Sequence, residues 1–366
     1  MNPQLIIDLE KLETNIKFLT AKLRKQNLSI MAVTKVHSAT PAIVALFEKF
    51  PEIEYFGDSR VANLMTYQAS TKQKVLIRIP MHSEVRDVVC YADISFNSEI
   101  STIRLLNEQA RSLNKVHQVV LMVDLGDLRE GYFAEADLML AATEVMKLDH
   151  IKLVGLGVNL TCYGAILPDE ENLGRLVAYS QKLEEKLAIK LPIISGGNSS
   201  SLYLLENPAT HLPAEITNLR IGEAFFTGGE TAHGRQFPEM HADVVVLAAQ
   251  IVELKTKPSL PIGKQGIDAF GKKPTFEDKG QRLRGILAIG RQDIDYLALA
   301  PLDAGLEIVG ASSDHLIVDF TQSKQTYAVG DVIKFKLGYG AMLAAFTSKY
   351  VTKEYKKIKN YGRSEK

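Results

Sequence analysis

The sequence predicts a (β/α)8 barrel followed by a smaller, mostly β domain. Between about residue 25 and residue 230, eight short apolar runs alternate with amphipathic stretches such as 41–50 and 99–113. Strands that alternate with helices form parallel sheets, and eight such strands close a barrel. After about residue 235 the helical periodicity weakens, and strand-like runs follow, separated by turns rich in Gly, Pro and Asp.

The eight predicted barrel strands are residues 29–34, 53–56, 75–79, 94–96, 119–124, 153–158, 192–195 and 218–221. Each is a short apolar run, as expected for strands buried on both faces of a parallel sheet. We expect the barrel domain to span residues 1–235 and the β domain residues 236–366, because 366 residues exceed one small core. The first dozen residues precede the first barrel strand and could pair with the β domain instead.

The composition excludes several classes of protein. Hydrophobic residues make up 46% and charged residues 23% of the chain, and the formal net charge is +0, so we expect no nucleic-acid surface. Two cysteines indicate a reducing compartment without a disulfide framework. The first ten residues carry no cationic segment and no long apolar run, which predicts no signal peptide, no membrane span and a cytoplasmic protein.

Lys35 is the first candidate for chemistry. It follows the apolar run 29–34, at the end of a predicted strand that would point into the mouth of a barrel. An amine held there among apolar neighbours loses hydration, its pKa falls, and the neutral form attacks aldehydes. The alternative is a lysine at the end of a strand that extends its ammonium group to water.

Further polar motifs follow the later strands. Arg129 lies in a glycine-punctuated loop after the fifth strand, and Asn159 ends the sixth. The sequence Ser-Gly-Gly-Asn-Ser that ends at Ser199 follows the seventh strand, opens a predicted helix and suits a phosphate, because small residues let backbone N–H groups approach an anion. Arg220 ends the eighth strand. Taken singly, the loop is better explained as an N-cap with flexible glycines. An arginine could be a solvated surface residue, but at the end of a barrel strand it more often faces a ligand.

In this order, the motifs resemble those of the alanine-racemase-like enzymes that depend on pyridoxal phosphate (PLP). The matching features are the lysine after the first strand, Asp-x-Gly-x-x-Arg-x-Gly over 124–131, Gly-Gly-Asn-Ser over 196–199 and Leu-Arg-x-Gly over 219–222. With the β domain, the resemblance covers nearly the whole chain. The longer strings at 123–132, 159–164, 196–201 and 310–315 look like the branch of this family that acts on ornithine.

The resemblance implies a role for each matching residue. Lys35 would bind PLP and serve as one of two acid/base groups. Arg129 would contact the phenolic oxygen of the cofactor and orient the substrate carboxylate, and Arg220 would face the pyridine nitrogen. The phosphate contacts would be Ser199, the backbone of Gly222 and Tyr339, although Tyr339 could also be a core tyrosine.

Three departures from the family pattern concern the cofactor and the second base. Ala39 stands where alanine racemases carry a phosphate-binding tyrosine just after the lysine. Asn159 stands where alanine racemases carry a histidine beneath the pyridine ring. Phe270 stands where they carry a tyrosine that acts as the second base in the site of the partner subunit. We therefore expect the second base to be His315, then Asp268, then Asp314, in a homodimer with composite active sites, although a structural histidine or a turn-capping aspartate is the commoner role for any one of them.

The function that the resemblance implies is interconversion of L- and D-ornithine by removal and return of the Cα proton. The second ammonium group of ornithine needs an acidic recess, for which Glu223 and Asp127 are candidates. The alternatives are a racemase of another amino acid (lysine, alanine or a broad range) and a non-catalytic PLP-binding homeostasis protein. The sequence shows no spacing of histidine, cysteine and carboxylate that predicts a metal site.

Overall fold

The computed structural model describes residues 3–206 and 210–356. The chain divides into two compact units, one formed by residues 11–242 and the other by residues 1–10 and 243–366. The final part of the predicted β domain, residues 357–366, lies outside the described residues.

The first unit is a closed barrel of eight parallel strands, as predicted. In chain order after the N-terminal strand β1 (Gln4–Asp8), they are β2 (Ser29–Val33), β3 (Ile53–Asp58), β4 (Gln73–Leu76), β5 (Ile94–Asn97), β6 (His117–Val123), β7 (Ile151–Val158), β8 (Ile193–Ser195) and β9 (Asn218–Ile221). Each strand pairs with its neighbour in sequence, and β9 pairs with β2 to close the ring.

Helices precede, connect and follow the barrel strands. They are α1 (Leu9–Arg24), α2 (Pro41–Phe47), α3 (Val61–Thr66), α4 (Val85–Tyr91), α5 (Ile100–Ser112), α6 (Glu135–Val145), α7 (Glu170–Leu187) and α8 (Ala224–Thr227). Helix α7 starts at a capping box, in which the Asp169 carboxylate accepts the N–H of Asn172 at 2.7 Å and the Asn172 side chain accepts the N–H of Asp169 at 3.0 Å. Of the helices in the described part of the chain, none is long and apolar enough to cross a membrane.

The interior of the barrel is filled by side chains from most of its strands. The buried residues of this core are Met31, Val75, Ile94, Phe96, Val120, Met122, Val154 and Ile193. Glycines occur where strands approach closely: a Cβ on Gly155 would lie 2.0 Å from the carbonyl oxygen of Ile193 on β8. This filling leaves the C-terminal ends of the strands as the place for a site.

The second unit is mostly β, as predicted. Its strands are β10 (Val245–Pro258), β11 (Gln281–Leu287), β12 (Leu299–Pro301), β13 (Glu307–Ala311), β14 (Leu316–Asp319), β15 (Val332–Leu337) and β16 (Thr352–Lys356), with the helix α9 (Tyr339–Thr347) before the last strand. The sheet order is β12-β15-β10-β11-β14-β13. Strand β1 belongs to this unit, pairing antiparallel with β10 and parallel with β16.

Candidate active site

A cavity of about 310 Å³ lies at the C-terminal ends of the barrel strands. Its polar lining comes from Lys35, Arg78, Arg129, Glu130, Asn159 and Arg220, with Ser59 at one side. Its apolar lining comes from Ile77, Ile79, Phe96 and Met122. Four of the residues predicted from the sequence, Lys35, Arg129, Asn159 and Arg220, therefore share one cavity, although no two of them come from the same strand end.

Lys35 is positioned by a short turn after β2. A single 3-10 turn covers Lys35–His37, and the next two residues, Ser38 and Ala39, are left-handed with φ values of 48° and 51°. Before it, the buried Thr34 donates its hydroxyl to the Asp58 carboxylate at 2.6 Å. Burial raises the pKa of Asp58, and its hydrogen bonds from Thr34, Arg60 and Asn63 oppose that rise. These contacts fix the backbone from which the Lys35 side chain projects.

Arg220 is fully enclosed and donates hydrogen bonds to neutral acceptors. Its Nη1 donates to the Ser195 hydroxyl at 2.7 Å, and its Nη2 donates to the Val158 carbonyl at 2.6 Å and to Asn159 Oδ1 at 3.3 Å. The guanidinium carbon lies 5.4 Å from the centre of the Phe96 ring. Burial lowers the pKa of Arg220 to about 10, partly opposed by the negative charge of Glu130, so the side chain stays cationic at neutral pH.

The glycine–serine loop after β8 is folded by its own side chains. Asn198 accepts the N–H of Ser200 at 2.8 Å and donates to the Leu160 carbonyl at 3.0 Å. The Ser199 hydroxyl lies 3.3–3.4 Å from the backbone nitrogens of Gly222 and Ala224 after β9. The helix predicted after this loop is a 3-10 helix, Ser199–Leu205. The loop therefore gathers a hydroxyl and backbone N–H groups from two strand ends.

Two buried polar atoms in this region have no hydrogen-bond partner among the described residues. They are Asn159 Nδ2, on the cavity wall, and the hydroxyl of Ser200, in the glycine–serine loop. Buried polar groups are nearly always hydrogen-bonded in folded proteins. Their position at the cavity wall and in the loop is consistent with groups that complete their bonding to a ligand.

Glu130 is a cavity residue that the sequence analysis did not single out. Its carboxylate pairs with the guanidinium of Arg129, accepting from Nε and, at 2.6 Å, from Nη2. Burial alone would lower the pKa of Arg129, but the hydrogen bonds and charge of Glu130 raise it above its ordinary value. In the sequence, only the position of Glu130 next to Arg129 could have indicated a role in the site. That position is weak evidence, because an acidic residue in a loop is ordinarily solvated.

The two carboxylates predicted to meet a substrate ammonium group differ in their surroundings. Asp127 accepts the N–H groups of Tyr163, Gly164 and Ile166 at 3.0–3.3 Å, which gives it a structural task in the loop after β7. Glu223 follows β9, and burial raises its pKa to about 7, partly opposed by the charge of Lys35. A contact of either residue with a substrate stays a prediction.

The remaining predicted residues lie in the second unit. Asp268 accepts the N–H groups of Phe270 and Lys272 at 2.9 and 2.8 Å, and the bond from Lys272 is the main cause that lowers its pKa. Asp314 accepts from the Gln292 side chain at 2.7 Å, His315 is exposed, and Tyr339 begins α9. In the described residues, no group of three or more His, Cys, Asp and Glu side chains could hold a metal ion.

Comparison with known proteins identifies the family. Residues 7–229 match the family model described as alanine racemase, N-terminal domain. The chain belongs to the alanine racemase family. This member of the family is 52% identical to an ornithine racemase of Acetoanaerobium sticklandii, over 97% of this chain and 99% of that protein. It is 35% identical to a lysine racemase of Thermotoga maritima, over 96% of this chain and 98% of the other.

Solved structures agree with the fold of this family member. An alanine racemase from Bartonella henselae with covalently bound pyridoxal phosphate matches with a TM-score of 0.69. The match covers 97% of this chain and 99% of that one, at 17% sequence identity. At that identity the likeness concerns the fold: a barrel followed by a β domain.

Proposed function

We propose that the protein is a PLP-dependent racemase that interconverts L- and D-ornithine. The observation that carries the proposal is a single cavity, lined by Lys35, Arg129 and Arg220, in a chain 52% identical along nearly its whole length to an ornithine racemase. A nucleophilic amine and two guanidinium groups at the strand ends of a barrel suit a substrate and a cofactor that both carry negative charge.

The residues present fit PLP. A phosphate needs hydroxyl and N–H donors on small residues, and the loop supplies Ser199, the unpaired hydroxyl of Ser200 and the backbone of Gly222. At Gly222 a Cβ would lie 3.1 Å from the Cβ of Val33, so a larger residue would crowd the end of β2. The unpaired Asn159 Nδ2 on the cavity wall is a donor for a polar group of the cofactor. Lys35 would hold the cofactor covalently.

Bound PLP would withdraw electrons from the substrate and make its Cα proton acidic. Arg129 would bind the substrate carboxylate, and Lys35 would move the Cα proton on one face. Arg220 keeps its own protons at neutral pH, because even a pKa of about 10 lies well above 7. A cation that already donates to Ser195 and Val158 has little tendency to pass a proton to a ring nitrogen, which favours racemisation over transamination.

The second proton relay and the assembly form part of the same proposal. The Ser312–His315 turn and Asp268 would serve the active site of the other subunit in a homodimer, with His315 as the first candidate for the second base because imidazole is the side chain best suited to moving protons near neutral pH. Asp314 is a weaker candidate, since both of its oxygens accept hydrogen bonds, from Gln292 and from Ser313.

A second candidate function is a racemase of lysine or of several basic amino acids. The relative that favours it is the lysine racemase, at 35% identity over 96% of this chain. Ornithine and lysine differ by one methylene group, which a pocket discriminates by only about ten- to two-hundredfold.

The test is to incubate the purified protein and PLP with single L-amino acids and separate the enantiomers by chiral chromatography. We expect conversion of L-ornithine to the racemate, slower conversion of L-lysine, and no conversion with Lys35→Ala. Borohydride reduction followed by mass spectrometry should place the pyridoxyl group on Lys35. Preferred turnover of lysine would support the second candidate, and an adduct on any other lysine would contradict the assignment of Lys35.

A further inference from the structure

We propose that Glu130 is a positioning residue, which turns the guanidinium of Arg129 so that its outer edge faces the carboxylate of the substrate. The proposal rests on the proposed function, in that the substrate is an amino acid with a free carboxylate. It concerns a residue that acts through Arg129 and makes no bond of its own to the substrate.

The hydrogen-bond pattern defines the orientation. A guanidinium offers five N–H groups in a rigid plane. Glu130 occupies the edge formed by Nε and Nη2, with one carboxylate oxygen on each nitrogen. The edge formed by Nη1 and the second N–H of Nη2 is left for another partner, and it matches a carboxylate in the two-pronged manner typical of arginine. The Glu130 side chain is 17% exposed and the Arg129 side chain 41%, so the carboxylate is the more shielded of the two partners.

The backbone around Glu130 is a rigid support. Asp124 accepts the N–H groups of Gly126 and Leu128, which closes the loop after β6. Gly131 has a φ of 127°, and its Cα lies so close to β6 that a Cβ would be 2.5 Å from the nitrogen of Asp124. Tyr132 then pairs with the strand, donating to the Met122 carbonyl at 2.8 Å. Glu130 is therefore held in place by its neighbour Gly131, whose backbone packs directly against β6.

Because of the charges in the cavity, a positioning role and a purely electrostatic role of Glu130 predict opposite changes in the binding of an anion. Of the described residues that line the cavity, Arg78, Arg129 and Arg220 carry guanidinium groups and Glu130 carries the one carboxylate. Removing that carboxylate makes the cavity more positive, so electrostatics alone predicts tighter binding of an anion. If Glu130 orients Arg129, its removal instead weakens the binding, because Arg129 must be fixed in place by the anion itself.

A third role, direct contact of Glu130 with the side-chain ammonium of the substrate, is also distinguishable. Pentanoate carries the carboxylate alone, and 5-aminopentanoate adds a distal ammonium group. Neither has an α-amine, and the cofactor absorbance reports any imine that the distal primary amine forms. If Glu130 only positions Arg129, its removal weakens the binding of both ligands equally. A direct contact affects 5-aminopentanoate alone.

The experiment compares the PLP-loaded wild type with Glu130→Gln, and with Glu135→Gln as a control whose carboxylate pairs with Lys182 at the surface. Dissociation constants for both ligands are measured by saturation-transfer NMR, with circular dichroism and cofactor absorbance as checks on folding and loading. We expect Glu130→Gln to weaken both ligands by about ten- to a hundredfold, the usual scale for hydrogen bonds to charged groups. The control should bind like the wild type.

Unchanged or tighter binding by Glu130→Gln would overturn the proposal, as would a loss confined to 5-aminopentanoate. Failure of the wild type to bind either carboxylate would overturn it too, because Arg129 would then not face a carboxylate. The measurement does not need turnover. A wild type that binds both ligands but racemises no amino acid would remove the proposed function and leave the role of Glu130 standing.

Discussion

At the scale of single residues, Glu223 links the candidate site to stability. Burial raises the pKa of its carboxyl group from the ordinary 4.5 to about 7, partly opposed by Lys35. A folded protein that holds this proton more tightly than the unfolded chain loses stability as pH rises through that window. The buried carboxyl group therefore lowers the free energy of unfolding little below pH 4.5 and by its full amount above pH 7.

We expect Glu223→Gln to raise the free energy of unfolding by about 3 kcal/mol at pH 8 and by less than about 1 kcal/mol at pH 5. Urea denaturation at both pH values measures the difference, and the exposed Glu135→Gln gives the background, within about 0.5 kcal/mol at either pH. An equal gain at pH 5 and pH 8 would mean that Glu223 does not titrate between them in the folded protein.

The sequence indicates the place of a side chain where a strand end dictates it, and indicates it less well in loops. Lys35, Arg129, Asn159 and Arg220 line one cavity because parallel strands bring their C-terminal ends together. The inward direction of Glu130 depends on the close approach of Gly131 to β6, which no local pattern encodes. Asp127 looked like a free loop carboxylate until its three backbone partners in the segment 163–166 were visible.

At the scale of elements, the loop between β6 and α6 is the one whose shape the site depends on. Gly126 and Gly131 both have positive φ values, 121° and 127°. A Cβ at Gly126 would meet no atom within 4 Å, whereas at Gly131 it would meet the backbone of β6. Substitutions at the two glycines therefore distinguish the free-energy cost of an unfavourable φ from the cost of moving the strand end.

We expect Gly131→Ala to destabilise the protein by about 1–3 kcal/mol more than Gly126→Ala, because only the former adds a backbone clash to the strain of a positive φ. Since Arg129 and Glu130 precede Gly131 directly, we also expect Gly131→Ala to reduce racemisation at least tenfold and Gly126→Ala to reduce it less. Urea denaturation and chiral chromatography measure the two effects. Similar losses for both variants would show that φ strain alone sets the cost.

Element prediction succeeded for the barrel strands and failed for helix α9. Each strand is a bounded apolar run, so its position could be found from periodicity and length. Helix α9 has the sequence YGAMLAAFT, which carries no charged residue, so it has no polar face to reveal a helical period. Its buried residues, Ala341, Met342, Ala345 and Phe346, follow a helical spacing that becomes evident only from the packing.

At the scale of the whole molecule, the proposed dimer depends on surfaces of the single chain that could associate. The second unit exposes large apolar side chains in the segment between β10 and β11, among them Ile262 at 91% and Ile267 at 76%. Exposed apolar side chains that fall within one short segment are candidates for a surface that associates. Symmetric dimers are the commonest way in which soluble chains cover such a surface.

Mixing two inactive variants tests whether each active site is shared between subunits. We expect Lys35→Ala to be inactive, and likewise at least one of His315→Ala, Asp268→Asn and Asp314→Asn. In a mixed dimer one site then carries both defects and the other carries neither. Random reassortment makes half of the dimers mixed, so activity should return to about a quarter of the wild-type value.

The matched control mixes Lys35→Ala with Arg129→Met, two variants of the same barrel. Every mixed dimer then has a defect in each site, and no activity should return. Recovery in both mixtures would indicate exchange of something other than subunits, and recovery in neither would mean that the second base serves its own chain. If all three variants of the second unit remain active on their own, the second base lies outside the Ser312–His315 turn and the Asp268 loop, and the proposed homodimer would lose its catalytic rationale.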